Sequence, residues 1–294
     1  MLHFGACDRA GEVEALLRRC AAVRPDPDAA WHTLAALVHA LLEAHARFPM
    51  QCTPAALRHP TDVFQYWDQA RPPADVAACL ASWDRAGIPV HRYDLAEADA
   101  FLHASYGGDV LAAFRHAHHP AMQADLFRLA RLYRLGGLYV DADDAFVGDG
   151  GLPGFRAGVA VLPLSICMSC RRSVPFERPF EGRGWFYLGN APMFGEAGHP
   201  LLARALDRAV GAVLARRAKG ELANIHDDTG PGAFSMSALD YAVDCATAGQ
   251  PVDLSASLHW PFLQQSLPLR YKDGERNWRS NAVIYSADRA CAAA

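Results

Sequence analysis

Residues 121–144 constrain this chain more than any other stretch, because a helix, a sharp turn, a strand and a run of carboxylates follow one another directly. Residues 124–135 place Leu126, Leu129, Leu132 and Tyr133 along one helical stripe. Gly136 and Gly137 end that helix, since glycine accepts the left-handed cap and lets the chain turn at once into Leu138-Tyr139-Val140, a short buried strand. The strand delivers Asp141-Ala142-Asp143-Asp144. If extended geometry persists, alternation puts Tyr139, Asp141 and Asp143 on one face. Asp125 and Arg128, three apart, share a face of the preceding helix.

The flanking sequence alternates in the same way. Val13, Leu16, Leu17 and Cys20, then Leu34, Leu37, Val38, Leu41 and Leu42, recur at helical spacing on either side of Pro25 and Pro27, which predicts a helical hairpin. A linker spans Pro54 to Pro60. Residues 62–68 read as a strand, 75–86 as a helix, 89–93 as a strand, and 96–103 and 110–117 as helices. Residues 201–218, with Leu202, Leu206, Val210, Val213 and Leu214, read as a packing helix that serves as scaffold. The expectation is an α/β fold, a mixed sheet flanked by helices over residues 61–294, with an N-terminal helical extension over residues 1–60.

Composition narrows the function classes. A hydrophobic fraction of 51% with 20% charged residues excludes a disordered chain, and a net charge of -4 gives no pull toward nucleic acid. Lys219 and Lys272 are the only lysines, every other basic residue being arginine, a skew that codon composition explains as readily as chemistry. The eight cysteines are scattered and read as reduced thiols. Cys167-Met168-Ser169-Cys170 has no second pair at zinc-site spacing, and neither dinucleotide nor P-loop glycine patterns occur. His116, His118 and His119 read as a solvated turn before Pro120, the alternative being a loop leading into the site that uses one of them. The N-terminus has no basic-then-apolar leader, and residues 29–42 are broken by His32 and His39, short of the roughly 18–20 apolar residues a transmembrane segment needs. The expectation is a soluble, cytoplasmic protein.

Crowding carboxylates at a strand end is costly through like-charge repulsion, and a hard divalent cation, Mn²⁺ or Mg²⁺, is the simplest thing that offsets it. Such an ion keeps open positions that substrate phosphates fill, which points to a diphosphate-bearing ligand such as a nucleotide-sugar. The plainer alternative is that these aspartates are turn and cap carboxylates.

Residues 124–143, with Ala124-Asp125-Leu126-Phe127-Arg128 and Arg134-Leu135-Gly136-Gly137-Leu138-Tyr139-Val140-Asp141-Ala142-Asp143, closely resemble the signature of glycosyltransferases with the DXD sugar-binding motif. That family includes the fungal outer-chain initiating mannosyltransferases and, more distantly, the clostridial glucosylating toxins. The resemblance covers about residues 61–235, from Tyr66-Trp67-Asp68 through the segment 190–200, Asn-Ala-Pro-Met-Phe-Gly-Glu-Ala-Gly-His-Pro, to Thr229-Gly230-Pro231-Gly232. It implies a GT-A type nucleotide-binding sheet and a metal-dependent transfer of a hexose or N-acetylhexosamine that retains anomeric configuration. It further implies that Tyr66 and Trp67 lie by the nucleotide base, with Trp67 stacking, and that Asp125 and Arg128 contact donor sugar or phosphate. Tyr139 joins the donor site, Asp141 faces the ribose and the metal, and Asp143 ligates the metal directly; Asp141, Asp143 and Arg128 are the residues assigned to catalysis. A UDP-sugar is preferred to GDP-mannose as donor, and the acceptor is a glycan, a small molecule or a protein. One departure concerns the C-terminal end, where the family commonly carries a histidine or a serine and tryptophan segment that closes over the metal. Here Tyr285 or Ser286 stands at the histidine position, with Asn277, Trp278 and Ser280 as substitutes. The competing readings are an idle carbohydrate-binding relative and a metal-dependent hydrolase.

Overall fold

Val63-Phe64-Gln65-Tyr66, four consecutive buried residues, form strand β1 (Val63–Tyr66), and a strand buried on both faces requires a layer of packing above and below it. In the computed structural model, residues 57–156, 158–167, 184–257, 259–265 and 267–273 are described, together with positions 15, 17, 18, 33, 34, 36–38, 40 and 41. Around β1 a six-stranded mixed sheet assembles in the order β2-β1-β3-β6-β5-β7. β2 (Val90–Tyr93) and β3 (Gly137–Tyr139) run parallel to β1, β6 (Gly184–Gly195) runs antiparallel to both β3 and β5 (Val159–Cys167), and β7 (Leu254–Ala256) runs parallel to β5. A separate antiparallel ribbon pairs β4 (Ala145–Phe146) with β8 (Leu263–Gln264). The helices are α1 (Ala74–Ser82), α2 (Leu95–Ser105), α3 (Gly108–His116), α4 (Pro120–Leu135), α5 (Pro200–Ala218) and α6 (Pro231–Ala248). The expected mixed α/β sheet flanked by helices is what forms, and no helix among the described residues is long and apolar enough to cross a membrane.

The period-two rule sorts the sheet residues into two cores. Phe64, Tyr66 and Tyr139 join Leu126, Phe127, Leu129 and the buried faces of α5 and α6 on one side. Val63, Leu138 and Val140 join Trp83, Phe146, Phe155 and Trp260 on the other. The described N-terminal positions Leu17, Leu34, Leu37, Val38 and Leu41 are buried in the first of these cores. A third, smaller cluster packs Val76, Cys79 and Leu80 of α1 against Ala142 and Leu269, with Trp67 and Tyr271 at its edge.

The α4-to-β3 passage rests on two glycines. Gly136 (φ 71°) and Gly137 (φ 109°) occupy the left-handed region, and a Cβ at Gly137 would run into the Asp62 carboxylate. Arg131 secures the turn by donating to the Gly136 carbonyl and to Asp62 while its guanidinium lies 4.3 Å from the Phe64 ring centroid. Extended geometry does not continue through the aspartates. β3 ends at Tyr139, and the Asp144 N–H donates to the Asp141 carbonyl at 3.1 Å, closing a turn of the kind aspartate favours. Tyr139, Asp141 and Asp143 therefore do not share a strand face.

Two helices start on the same dipeptide. His119-Pro120 and His199-Pro200 open α4 and α5 with proline at the first turn, and each imidazole Nδ1 accepts from a helix N–H, Ala121 at 3.0 Å and Leu201 at 3.2 Å. Burial holds His199 below its ordinary value of 6.5, with Asp253 opposing. The unfolded chain takes up a proton as pH falls through 6.5 while folded His199 does so only at lower pH, so its contribution is complete above that value and is lost as pH drops below it. Urea unfolding between about pH 7.5 and 5.5 is expected to give a stability slope of up to about 1.4 kcal/mol per pH unit that is reduced in His199→Asn, which keeps a capping acceptor without the titration.

Candidate functional site

Asp125, in α4, is 4% exposed, so its carboxylate must find partners inside the protein. It finds three. The Asn190 side chain donates to Oδ1 at 2.8 Å, the Thr229 hydroxyl donates to Oδ2 at 2.9 Å, and Arg128 Nη2 lies 3.2 Å from Oδ1. Burial pushes the Asp125 carboxyl up, and Arg128, Thr229 and Asn190 pull it back. The pair is therefore part of a buried ionic network and not a solvated helix salt bridge.

Arg128 links that network to the acidic turn. Its Nε donates to the Ala124 carbonyl at 3.2 Å, its Nη1 to the Asn190 carbonyl at 2.7 Å and its Nη2 to Asp141 Oδ1 at 3.3 Å, and its guanidinium lies 4.4 Å from the Tyr139 ring centroid. Burial opposes the charge, yet Tyr139, Asp141 and Asp125 together more than offset it and hold the guanidinium protonated. The Tyr139 hydroxyl donates to the same Asp141 oxygen at 2.9 Å.

Asp143 faces a different set of partners. Its Oδ2 accepts from the Tyr271 hydroxyl at 2.7 Å and lies 2.6 Å from Lys272 Nζ, both on the short 3₁₀ turn Arg270–Asp273. The Tyr271 ring meets Trp67 edge to face at 5.2 Å. Between the two outer aspartates, Ala142 is buried against α1, which seats the turn on the third core cluster. Asp144 is itself 3% exposed, and burial, reinforced by the charges of Asp141 and Asp143, pushes its carboxyl well above the usual range.

The structure thus gathers Trp67, Asp125, Arg128, Tyr139, Asp141 and Asp143 into one connected region. Tyr66 does not belong to it. Strand alternation sends its side chain into the core against Phe114 and Phe127, where its hydroxyl donates to Gln123 at 3.1 Å, so of the expected aromatic pair only Trp67 borders the acidic turn. The alternatives named for the C-terminal closure, Asn277, Trp278, Ser280, Tyr285 and Ser286, lie outside the described residues, as does Cys170.

Mn²⁺ or Mg²⁺ requires several oxygen ligands with uncompensated negative charge. Among the described residues that requirement is not met. Asp141 is paired with Arg128, Asp143 with Lys272, and among the described residues no group of three His, Cys, Asp or Glu side chains is arranged to hold an ion. An ammonium 2.6 Å from Asp143 Oδ2 supplies the positive charge that a metal there would bring.

Sequence reasoning missed four partners. Asn190 and Thr229 stood in segments already singled out, without a role; their polar side chains amid apolar neighbours were the available signal. Tyr271 and Lys272 come from a stretch with no motif, and the rarity of lysine was the one sign.

Residues 62–149 match the family described as glycosyltransferase sugar-binding region containing DXD motif. Among solved structures, the chain is similar to one described as PaToxG glycosyltransferase, at 16% identity over 77% of this chain and 87% of that one, with a TM-score of 0.41. It is also similar to one described as a transferase mutant, at 11% identity over 71% of this chain and 95% of that one, with a TM-score of 0.37. No curated protein matches the sequence.

Removing one partner of a buried ion pair leaves an uncompensated charge. Arg128→Ala is expected to lower the unfolding free energy by about 3–5 kcal/mol in urea titration. Arg204→Ala, which breaks an exposed pair with Asp244, should cost no more than about 1 kcal/mol. Equal losses in the two variants would contradict the buried network.

Proposed function

We propose, from the glycosyltransferase sugar-binding region carried by residues 62–149, that the protein transfers a hexose or N-acetylhexosamine from a nucleotide-sugar to an acceptor hydroxyl. The observation that supports this most directly is the joining of the acidic turn to an aromatic pair, through the Tyr271 hydroxyl on Asp143 and the Trp67–Tyr271 contact. An indole beside carboxylates suits a nucleotide, whose base takes the flat apolar surface and whose ribose hydroxyls donate to acids. In this reading Trp67 lies against the base and Asp141, held by Arg128 and Tyr139, accepts from the ribose. The diphosphate then lies toward the rim of the turn.

The reaction forms a bond between the acceptor oxygen and the anomeric carbon as the bond from that carbon to the diphosphate breaks, releasing a nucleoside diphosphate whose leaving oxygen takes up the acceptor hydroxyl's proton. Retention of configuration is the outcome that the family resemblance implies. Glycosyltransferases with this motif generally use a divalent metal; the described side chains do not fit one, and no step is assigned to it. A UDP-sugar is the preferred donor over GDP-mannose, and a glycan, a small molecule or a protein is the acceptor.

Incubation with UDP-glucose, UDP-N-acetylglucosamine and GDP-mannose, with and without Mn²⁺, is expected to show slow release of free sugar from one of them. Asp141→Ala should reduce that release by about tenfold or more at subsaturating donor, since a hydrogen bond to a charged group is worth roughly 1.5–3 kcal/mol. A complete absence of turnover across the panel, or turnover indifferent to Asp141→Ala, would overturn the assignment.

A further inference from the structure

Lys272 is one of two lysines in a chain whose other basic residues are all arginine, and its ammonium sits 2.6 Å from Asp143 in the acidic turn. It is held there. Its Nζ also donates to the Leu267 carbonyl at 2.9 Å, its N–H donates to the Leu269 carbonyl at 3.0 Å, and the Arg270 N–H donates to Asp75 Oδ2 at 2.9 Å. The side chains of Lys272 and Asp143 are 18% and 17% exposed, so the pair lies at a rim that ligand can reach yet is sheltered from bulk water. The neighbouring Tyr271 ties the same turn both to Asp143 and to Trp67.

An ammonium differs from a guanidinium in being a compact point charge with donors directed tetrahedrally, and in that respect it resembles a small metal ion more than the planar fork of arginine does. Like a metal ion, it can meet a phosphate oxygen while remaining beside a carboxylate. A divalent cation brought to Asp143 would have to displace this ammonium or tolerate its repulsion at close range.

We propose that Lys272 is the resident cation of the acidic turn, and that the protein binds a nucleoside diphosphate through this ammonium with no divalent metal. The inference rests on the nucleotide-sugar reading above. Asp143 then serves as a positioning residue that holds the ammonium, and Arg128 supplies the second positive charge behind Asp141.

Calorimetric titration of the full chain with UDP and with GDP, in EDTA and again in Mn²⁺, tests it. The wild-type protein is expected to bind one of the two with affinities agreeing within about threefold between the conditions. In Lys272→Ala the affinity in EDTA should fall about tenfold or more, with Mn²⁺ restoring part of it now that Asp143 is released; Lys272→Arg should lie between. Thermal melts of each variant report whether it folds, and the wild-type comparison stands without them. Binding by the wild type only in Mn²⁺ would overturn the proposal while leaving the nucleotide reading intact. So would metal-free binding that Lys272→Ala leaves unchanged. Failure of both nucleotides in both conditions would overturn the nucleotide reading and this proposal together.

Discussion

A guanidinium that is 4% exposed cannot be left to water, and the candidate site is arranged around meeting the needs of Arg128. Its donors reach the Ala124 carbonyl in its own helix, the Asn190 carbonyl in β6 and the Asp141 carboxylate after β3. Asp125 adds a second negative charge at 3.2 Å and is itself fixed by Asn190 and by Thr229 from the π-turn Ile225–Thr229. Four separate elements are thereby held in one register by charges that have no stable alternative partner. An apolar core fixes positions only to within what side chains can repack; this network also fixes directions.

The parts of the fold that could be read from sequence are those whose cause is local. α4 was legible because Leu126, Leu129 and Leu132 repeat at its period, and its end because Gly136 and Gly137 are needed at positive φ. The scaffold helix α5 was legible for the same reason. Where two local rules competed, the outcome was not legible. Alternation would have carried Asp141 and Asp143 onward as strand, but the turn preference of consecutive aspartates prevailed. Adjacent aromatics posed a like problem, since Tyr66 and Trp67 must point opposite ways and only the packing of α3 and α4 decides that Tyr66 is the core member. Lys272 lies far along the chain from Asp143, so no periodicity or motif could relate them.

The charge pattern of the acidic turn is more even than its sequence suggests. Three aspartates in four residues would by themselves demand a strong external cation, yet Asp141 and Asp143 each have a cationic side chain close by, and burial disfavours the charged form of Asp144. Near-neutrality has a functional consequence within the proposed chemistry. A diphosphate approaching the turn meets the Lys272 ammonium still beside Asp143, with the buried charge of Arg128 behind Asp141, and it must share those cations with their carboxylates. The balance between carboxylate and phosphate, rather than raw positive charge, then sets how tightly the leaving group is held.

Arg128 and Arg131 are three apart on α4, and each lies over an aromatic ring of a strand beneath it, Tyr139 at 4.4 Å and Phe64 at 4.3 Å. Those two rings are register partners across the parallel β1–β3 pair. Each arginine also binds an aspartate at a strand boundary, but at opposite ends: Arg131 takes Asp62, just before β1, while Arg128 takes Asp141, just after β3. The helix is therefore pinned to both ends of the β1–β3 pair. One residue of α4 advances about 1.5 Å and rotates by about 100°, so a slip of a single position would withdraw both guanidinium groups from their rings and both from their acids. Gly137 matters for the same reason, because a side chain there would strike the Asp62 carboxylate that anchors the second arginine. The point at which the acidic turn emerges from the sheet is thus fixed by a clamp whose other half lies at the opposite end of the β1–β3 pair, and the turn can be short without being loose.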